Sequence, residues 1–137
     1  MIIEATVAPG GGAPLRVHGD LDDGFYLASG QLAMRCGEQA FAVSAGDYVA
    51  LPRGVPHTFR VVGEEPAVML QVHADDSFLR FIREAGQPAP SRTLPPGLVL
   101  ATDMDAAIET AARTGQPVVG PPMSEEEAAV VAAGSSA

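Results

Sequence analysis

Turn-forming residues interrupt the first part of this chain at short and regular intervals. Brief apolar segments alternate with turn signals such as Ser29-Gly30, Gly37-Glu38 and the Pro-Gly-Gly-Gly run at residues 9–12. Glycine and proline favour turns because glycine adopts left-handed backbone angles and proline fixes φ. Turns at this spacing leave room only for short strands, and the pattern is typical of an all-β sandwich or closed barrel. With 137 residues the chain is long enough for one such domain.

The apolar segments predict eight short strands. They lie at residues 1–7, 14–18, 25–28, 31–36, 39–43, 48–51, 58–62 and 67–73. We expect residues 1–74 to form the barrel by themselves.

The hydrophobic period changes after residue 75. Phe78 and Ile82 fall at helical spacing, which predicts a helix over about 76–85 that ends at Gly86. Residues 87–97 are predicted to be extended, a second helix is predicted over 103–114, and PVVGPP is predicted to be extended. Residues 75–122 should therefore be an arm that packs on the barrel, and residues 123–137 a marginal helix or a disordered tail.

The charge of the chain excludes two classes of partner. The formal net charge is −9, and all eight basic residues are arginines. Such an acidic surface repels nucleic acids and anionic membranes. The single cysteine, Cys36, permits no intrachain disulfide and fits a reducing compartment. No apolar segment approaches a membrane span, and the first residues lack the basic start of a signal peptide, so we expect a cytoplasmic protein.

Two histidines stand at the best-defined turns of the chain. In the stretch GDYVALPRGVPH, residues 46–57, a strand ends in a turn with a proline at either end that delivers His57 to the next strand. His18 ends the apolar run PLRVH and precedes an acidic turn. In one small antiparallel barrel the two imidazoles could meet, and with a carboxylate they have the composition of a facial-triad metal site. The alternative is that they are two unrelated structural histidines.

Strand parity predicts which side chains share the interior, because successive side chains point to opposite faces. The residues expected to point inward are Asp23, Phe25, Leu27, Leu32, Met34, Phe59, Val61 and Met69. Gln71 and His73 share the face of Met69, so they form either the solvent face of an edge strand or a cavity wall. Arg16 shares the face of His18, and a buried arginine needs a partner such as Asp23 or an anionic ligand.

The stretch from Gly46 to His57 resembles a motif of the cupin superfamily, in particular that of the small quercetin-dioxygenase-like cupins. The motif G(x)5PxG(x)2H(x)3N is matched by Gly46, Pro52, Gly54 and His57, with Val61 in place of the asparagine. The resemblance extends over about residues 3–122. It implies a double-stranded β-helix, or jelly-roll barrel, with a short helical extension.

The first cupin motif, HxH(x)4E, matches when it is aligned on Gly30. Arg16 then stands at the first histidine, His18 at the second, and Asp23 at the glutamate. Family members usually bind a divalent metal through three His and one Glu. The resemblance therefore implies a possible Fe, Mn, Ni or Zn ion held by His18, Asp23 and His57, with an arginine where a ligand should be. It also implies a homodimer.

Two hypotheses follow for the function. In the first, a metal-dependent enzyme oxygenates or isomerises an enolic or polyketide- or flavonoid-like compound. In the second, the site holds no metal. Arg16 binds a carboxylate or enolate, and His57 or His18 acts as acid, base or hydrogen-bond donor. This second site is either a cofactor-independent isomerase or cyclase, or a binding protein without catalysis. The residues predicted to contact a mostly hydrophobic ligand are Arg16, Phe25, Leu27, Met34, Phe59, Met69, Gln71 and His73.

Overall fold

A computed structural model describes residues 1–94 and 104–134 of the chain and contains the eight predicted strands. The strands are β1 (Ile2–Val7), β2 (Gly12–Arg16), β3 (Asp23–Ser29), β4 (Gln31–Cys36), β5 (Gln39–Ser44), β6 (Tyr48–Leu51), β7 (His57–Val62), β8 (Ala67–Val72) and β9 (Val118–Pro122). The last of these is the segment predicted only to be extended; it pairs with β2.

The observed bounds of strand β2 differ from the predicted ones. The sequence predicts a strand over 14–18, but β2 runs from Gly12 to Arg16 because Gly12 already pairs with Arg60 of β7. His18 therefore lies in the loop after the strand. The carbonyl of His18 accepts a hydrogen bond from the Gly54 N–H at 2.8 Å, which ties this loop to the turn before His57.

The strands form two antiparallel sheets that enclose one core. The first has the order β1-β8-β3-β6 and the second the order β5-β4-β7-β2-β9. Both sheets contribute to the same cluster of buried side chains, which includes Phe25, Leu27, Leu32, Met34, Phe59, Val61 and Met69. The inward faces predicted from strand parity are confirmed for these apolar residues.

Two helices follow the barrel, as predicted. Helix α1 spans Ser77–Ala85, and the Gly86 N–H closes it on the Ile82 carbonyl at 2.8 Å. Helix α2 spans Met104–Arg113. Arg113 binds Glu84 at 2.7 Å, which joins the two helices. Residues 95–103, on which parts of the predicted extended segment and second helix fall, lie outside the described residues. Within the described ranges, no helix is long and apolar enough to cross a membrane.

The end of the chain is a packed helix, α3 (Glu125–Gly134), where the sequence predicts a marginal helix or a disordered tail. Met123 and Ala128 are buried against Ala33, on the outer face of β4. Glu127 also forms an ion pair with Arg35. The prediction of a disordered tail is therefore wrong for residues 123–134, because this segment covers apolar surface of the five-stranded sheet. Residues 135–137 lie outside the described residues.

Candidate functional site

A small cavity lies inside the barrel and gathers the polar residues that the sequence singled out. Its polar wall consists of Arg16, His18, Asp23, His57, Gln71 and His73. Its apolar wall includes Phe25, Met34, Phe59 and Met69, and the sequence did not predict the contribution of Leu51. Leu27 is fully buried in the core and does not line the cavity.

The cavity is narrow. The space open to the centre of a water molecule is about 20 Å³. About 10–15 Å³ of such space suffices for one water molecule. The empty volume of the cavity, including the solvent-filled space at its open mouth, is about 340 Å³. The interior as it stands thus holds water or the head of a small ligand, and a larger ligand would extend through the mouth.

Strand pairing places Arg16 next to His57. The two residues are direct partners at the ends of β2 and β7, on neighbouring strands of one sheet. The hydrogen bond from the Gly54 N–H to the His18 carbonyl then holds the His18 ring close to the His57 ring. The centroids of the two imidazole rings lie 5.1 Å apart and their planes differ by 6°, so the rings are stacked.

Asp23 holds two imidazoles at once. It begins β3, and the pairing of Gly24 with Val72 places it beside His73. Its Oδ2 lies 3.0 Å from His18 Nδ1, and its Oδ1 lies 3.4 Å from His73 Nδ1. Burial raises the pKa of Asp23, but the hydrogen bond from His73 and the proximity of His18 outweigh it and the net shift is downward. Asp23 is therefore an anion at neutral pH, with both oxygens engaged.

The two stacked histidines are neutral at neutral pH. Burial, reinforced by the charge of Arg16, lowers the pKa of both His18 and His57 to about 4. Their protons can be assigned from their partners. His57 Nδ1 lies 3.3 Å from the Val55 carbonyl, which only accepts, so Nδ1 carries the proton. The buried Nε2 of His57 is then an acceptor, and it has no hydrogen-bond partner among the residues that the structure describes.

Arg16 places a positive charge beside these neutral rings. Burial lowers the pKa of Arg16 to about 10, against the opposing effect of Asp23, and the guanidinium stays protonated at neutral pH. Its buried Nε has no hydrogen-bond partner in the described ranges. Within residues 1–94 and 104–134, Arg16 forms no ion pair with a carboxylate within 4.0 Å. The charge of Arg16 is thus available to an anion that enters the cavity.

Phe78 of α1 completes the site, and the sequence did not predict this role. The ring of Phe78 lies 5.1 Å from the guanidinium carbon of Arg16 and 4.8 Å from the His73 ring. The helical spacing of Phe78 with Phe81 and Ile82 indicated an apolar helix face. It could not show that this face packs over the histidines.

Gln71 and His73 belong to the cavity wall, which is one of the two alternatives left by the sequence. His73 is 7% exposed, and its Nε2 lies 3.4 Å from Gln71 Oε1. The Gln71 amide nitrogen contacts Met69 Sδ at 3.4 Å. These contacts fix the amide and the ring against each other. Roles for either residue in ligand binding remain predictions.

The side chains present do not fit a bound divalent metal. The rings of His18 and His57 lie in nearly parallel planes, with their centroids 5.1 Å apart. Both oxygens of Asp23 are held by imidazole nitrogens. In the described part of the chain, no group of three or more His, Cys, Asp or Glu residues is placed to hold a metal ion. The prediction that His18, Asp23 and His57 are metal ligands therefore has no support from the geometry.

Comparisons with known proteins agree with the fold. A family model described as "Cupin domain" matches residues 3–73. The chain is 33% identical over 60 residues to quercetin 2,3-dioxygenase of Bacillus subtilis (strain 168), which covers 44% of this chain and 18% of that protein.

Two solved structures illustrate the structural likeness. A variant of Bacillus subtilis oxalate decarboxylase superposes with a TM-score of 0.50 and 30% identity, over 55% of this chain and 21% of that one. A cupin domain from Schizosaccharomyces pombe superposes with a TM-score of 0.52 and 16% identity, over 62% and 57% of the two chains, and shows the fold alone. The chain thus spans about a fifth of the length of the two bacterial enzymes. The matched residues include both motifs that surround the cavity, and the chain belongs to the cupin family.

Proposed function

We propose that this chain binds a small organic anion in its barrel cavity without a metal ion, and that Arg16 supplies the positive charge. One observation carries the proposal. Among the described residues, Arg16 Nε and His57 Nε2 are both buried without a hydrogen-bond partner, and both residues line the same cavity. A buried polar atom left unpaired costs about 1–3 kcal/mol, so a ligand oxygen that accepts a hydrogen bond from Arg16 Nε recovers part of this energy on binding.

The walls of the cavity define the chemical class of the ligand. The guanidinium favours a carboxylate or an enolate, and the side chains of Phe25, Met34 and Met69 favour an apolar part next to it. The small interior volume favours a short compound. A polycyclic, flavonoid-like compound would require the lining residues to rearrange.

The names of two similar proteins support this class. Oxalate, named in oxalate decarboxylase, is a short carboxylate anion, and quercetin, named in quercetin 2,3-dioxygenase, carries an enolic hydroxyl beside a carbonyl. Both present oxygen atoms that a guanidinium can bind. Binding of such a compound is the core of the proposal; isomerisation or cyclisation with His57 or His18 as the base is an extension of it. A metal-dependent dioxygenase is the less favoured alternative, because the donor set does not fit a metal. The cytoplasmic location and the homodimer remain predictions.

Calorimetric titration with acetate, glycolate and oxalate tests the proposal. We expect the wild-type chain to bind at least one of these anions, and the Arg16→Met variant to lose that binding. Arg92, which is exposed, provides the matched control, and Arg92→Met should bind as the wild type does. The proposal is wrong if none of the three anions binds, or if Arg16→Met binds them as tightly as the wild type.

A further inference from the structure

The two unpartnered atoms of the cavity have opposite hydrogen-bonding character. Arg16 Nε carries a proton and can only donate. His57 Nε2 is an acceptor in the tautomer assigned from the contact of Nδ1 with the Val55 carbonyl at 3.3 Å. A carboxylate oxygen satisfies the first atom but not the second, since it has no proton to donate. An anion alone therefore leaves His57 Nε2 buried and unpaired.

A hydroxyl group satisfies both kinds of atom. It accepts one hydrogen bond and donates another, so one oxygen can accept from Arg16 Nε and donate to His57 Nε2. The position of the two residues favours such a bridge, because Arg16 and His57 are direct partners on neighbouring strands. Side chains paired in this way have Cβ atoms about 4.5–5.5 Å apart. Water can form the same bridge, so the ligand has to replace it with an equivalent group.

The rest of the site keeps His57 in this state. Asp23 binds Nδ1 of His18 at 3.0 Å, which orients the ring that stacks on His57. The stacked rings and the hydrogen bond to Val55 leave His57 little freedom to turn its Nδ1–H toward the cavity. The His57 side chain is only 2% exposed, so bulk water does not serve as its donor.

We infer that the ligand of this site is a 2-hydroxy acid, whose hydroxyl group bridges Arg16 and His57 while its carboxylate faces the remaining guanidinium nitrogens. This inference rests on the proposed function, which supplies the anion. His57 then determines specificity, because its Nε2 accepts a hydrogen bond from a donor next to the ligand's carboxylate. Simple carboxylates and ethers of the same acids leave His57 Nε2 unpaired and bind less tightly.

Calorimetric titration of the wild-type chain with three sodium salts at neutral pH tests the inference. Glycolate has the hydroxyl donor, whereas acetate lacks the oxygen and methoxyacetate keeps the oxygen without its proton. We expect glycolate to bind about tenfold more tightly than both, as for one well-made buried hydrogen bond. The two comparison salts are smaller and larger than glycolate, so an affinity that only rises or only falls with ligand size cannot produce this order. The experiment needs no variant and is independent of whether a substitution folds.

A variant then assigns the preference to one residue. His57→Phe keeps an aromatic ring and removes the acceptor, so it should bind glycolate and acetate equally. If the wild type binds acetate or methoxyacetate as tightly as glycolate and Arg16→Met abolishes that binding, the inference is wrong and the proposed function stands. If none of these three salts binds, the inference is wrong, and if oxalate does not bind either, the proposed function itself fails. If folded His57→Phe keeps the tenfold preference, another residue recognises the hydroxyl and the inference is wrong.

Discussion

Arg16 and His57 are direct partners across strands β2 and β7, both line the same cavity, and in the described part of the chain each has one buried nitrogen without a hydrogen-bond partner. One nitrogen donates and the other accepts. In the family motif that the sequence resembles, the position of Arg16 belongs to a metal-binding histidine. The motif alignment therefore predicts a fixed cation at a position where metal-dependent cupins have a ligand.

The buried histidines should make the stability of the chain depend on pH. The pKa of His18 and of His57 is about 4 in the folded chain and 6.5 for the unperturbed side chain. Between these values the unfolded chain binds more protons, so the free energy of unfolding falls as the pH falls from about 6.5 to about 4. Two protons correspond to a slope of about 2.7 kcal/mol per pH unit in the middle of this window.

Urea unfolding at a series of pH values measures this slope. In His57→Phe the slope should fall to about half, because only His18 remains to take up a proton on unfolding. Equal slopes in the wild type and the variant would show that His57 is not held neutral in the folded chain.

Restoring a histidine at position 16 should improve metal binding. Arg16→His removes the positive charge next to the imidazoles and adds a third imidazole donor. We expect the variant to bind Ni²⁺ or Mn²⁺ more tightly than the wild type in a calorimetric titration. Arg92→His, at an exposed position, should leave the affinity unchanged. Equal affinities for Arg16→His and the wild type would show that position 16 does not face the other donors.

Thr58 should be important for stability because its hydroxyl serves two partners. Its Oγ1 donates to the Ala13 carbonyl at 2.7 Å and accepts from the Met123 N–H at 3.2 Å. Thr58→Val keeps the shape and leaves both backbone groups unpaired, so we expect a loss of about 1–3 kcal/mol in chemical denaturation. Thr6→Val, on an exposed strand position, should change stability by about 0.5 kcal/mol or less. Similar losses in both variants would contradict the role of Thr58.

The terminal helix should contribute to the stability of the whole domain. Met123 is 2% exposed and packs with Ala128 against Ala33. Met123→Ala should destabilise the chain by about 2–4 kcal/mol, through lost contacts and the cavity that remains. Val130 is 68% exposed, and Val130→Ala provides the matched control with little expected effect. A Met123→Ala variant as stable as the wild type would mean that α3 does not pack on the sheet in solution.

The sequence was most informative where local rules decide the structure. The alternation of Phe25 and Leu27, and of Phe59 and Val61, follows from strand geometry alone, and all four side chains are buried. The prolines around the turn before His57 likewise fix its place at the start of a strand. These rules involve neighbouring residues, so they can be read from the chain directly.

The sequence was less informative where the order of strands decides the contacts. Asp23 binds His73 because β8 lies next to β3, although the two are distant in the chain. Phe78 reaches Arg16 because α1, although distant in the chain, lies next to the residues of the cavity wall. The burial of Ala128 depends on the outer face of β4. Periodicity shows that such faces need a partner but does not say which one.

The dependence of binding on metal tests the central claim most directly. The chain, purified without a histidine tag, should be treated with a chelator, dialysed and titrated with glycolate before and after addition of Fe²⁺, Mn²⁺ or Ni²⁺. The account predicts the same affinity in all samples, because Arg16 supplies the charge. Binding that disappears with the chelator and returns only with a metal ion would contradict it.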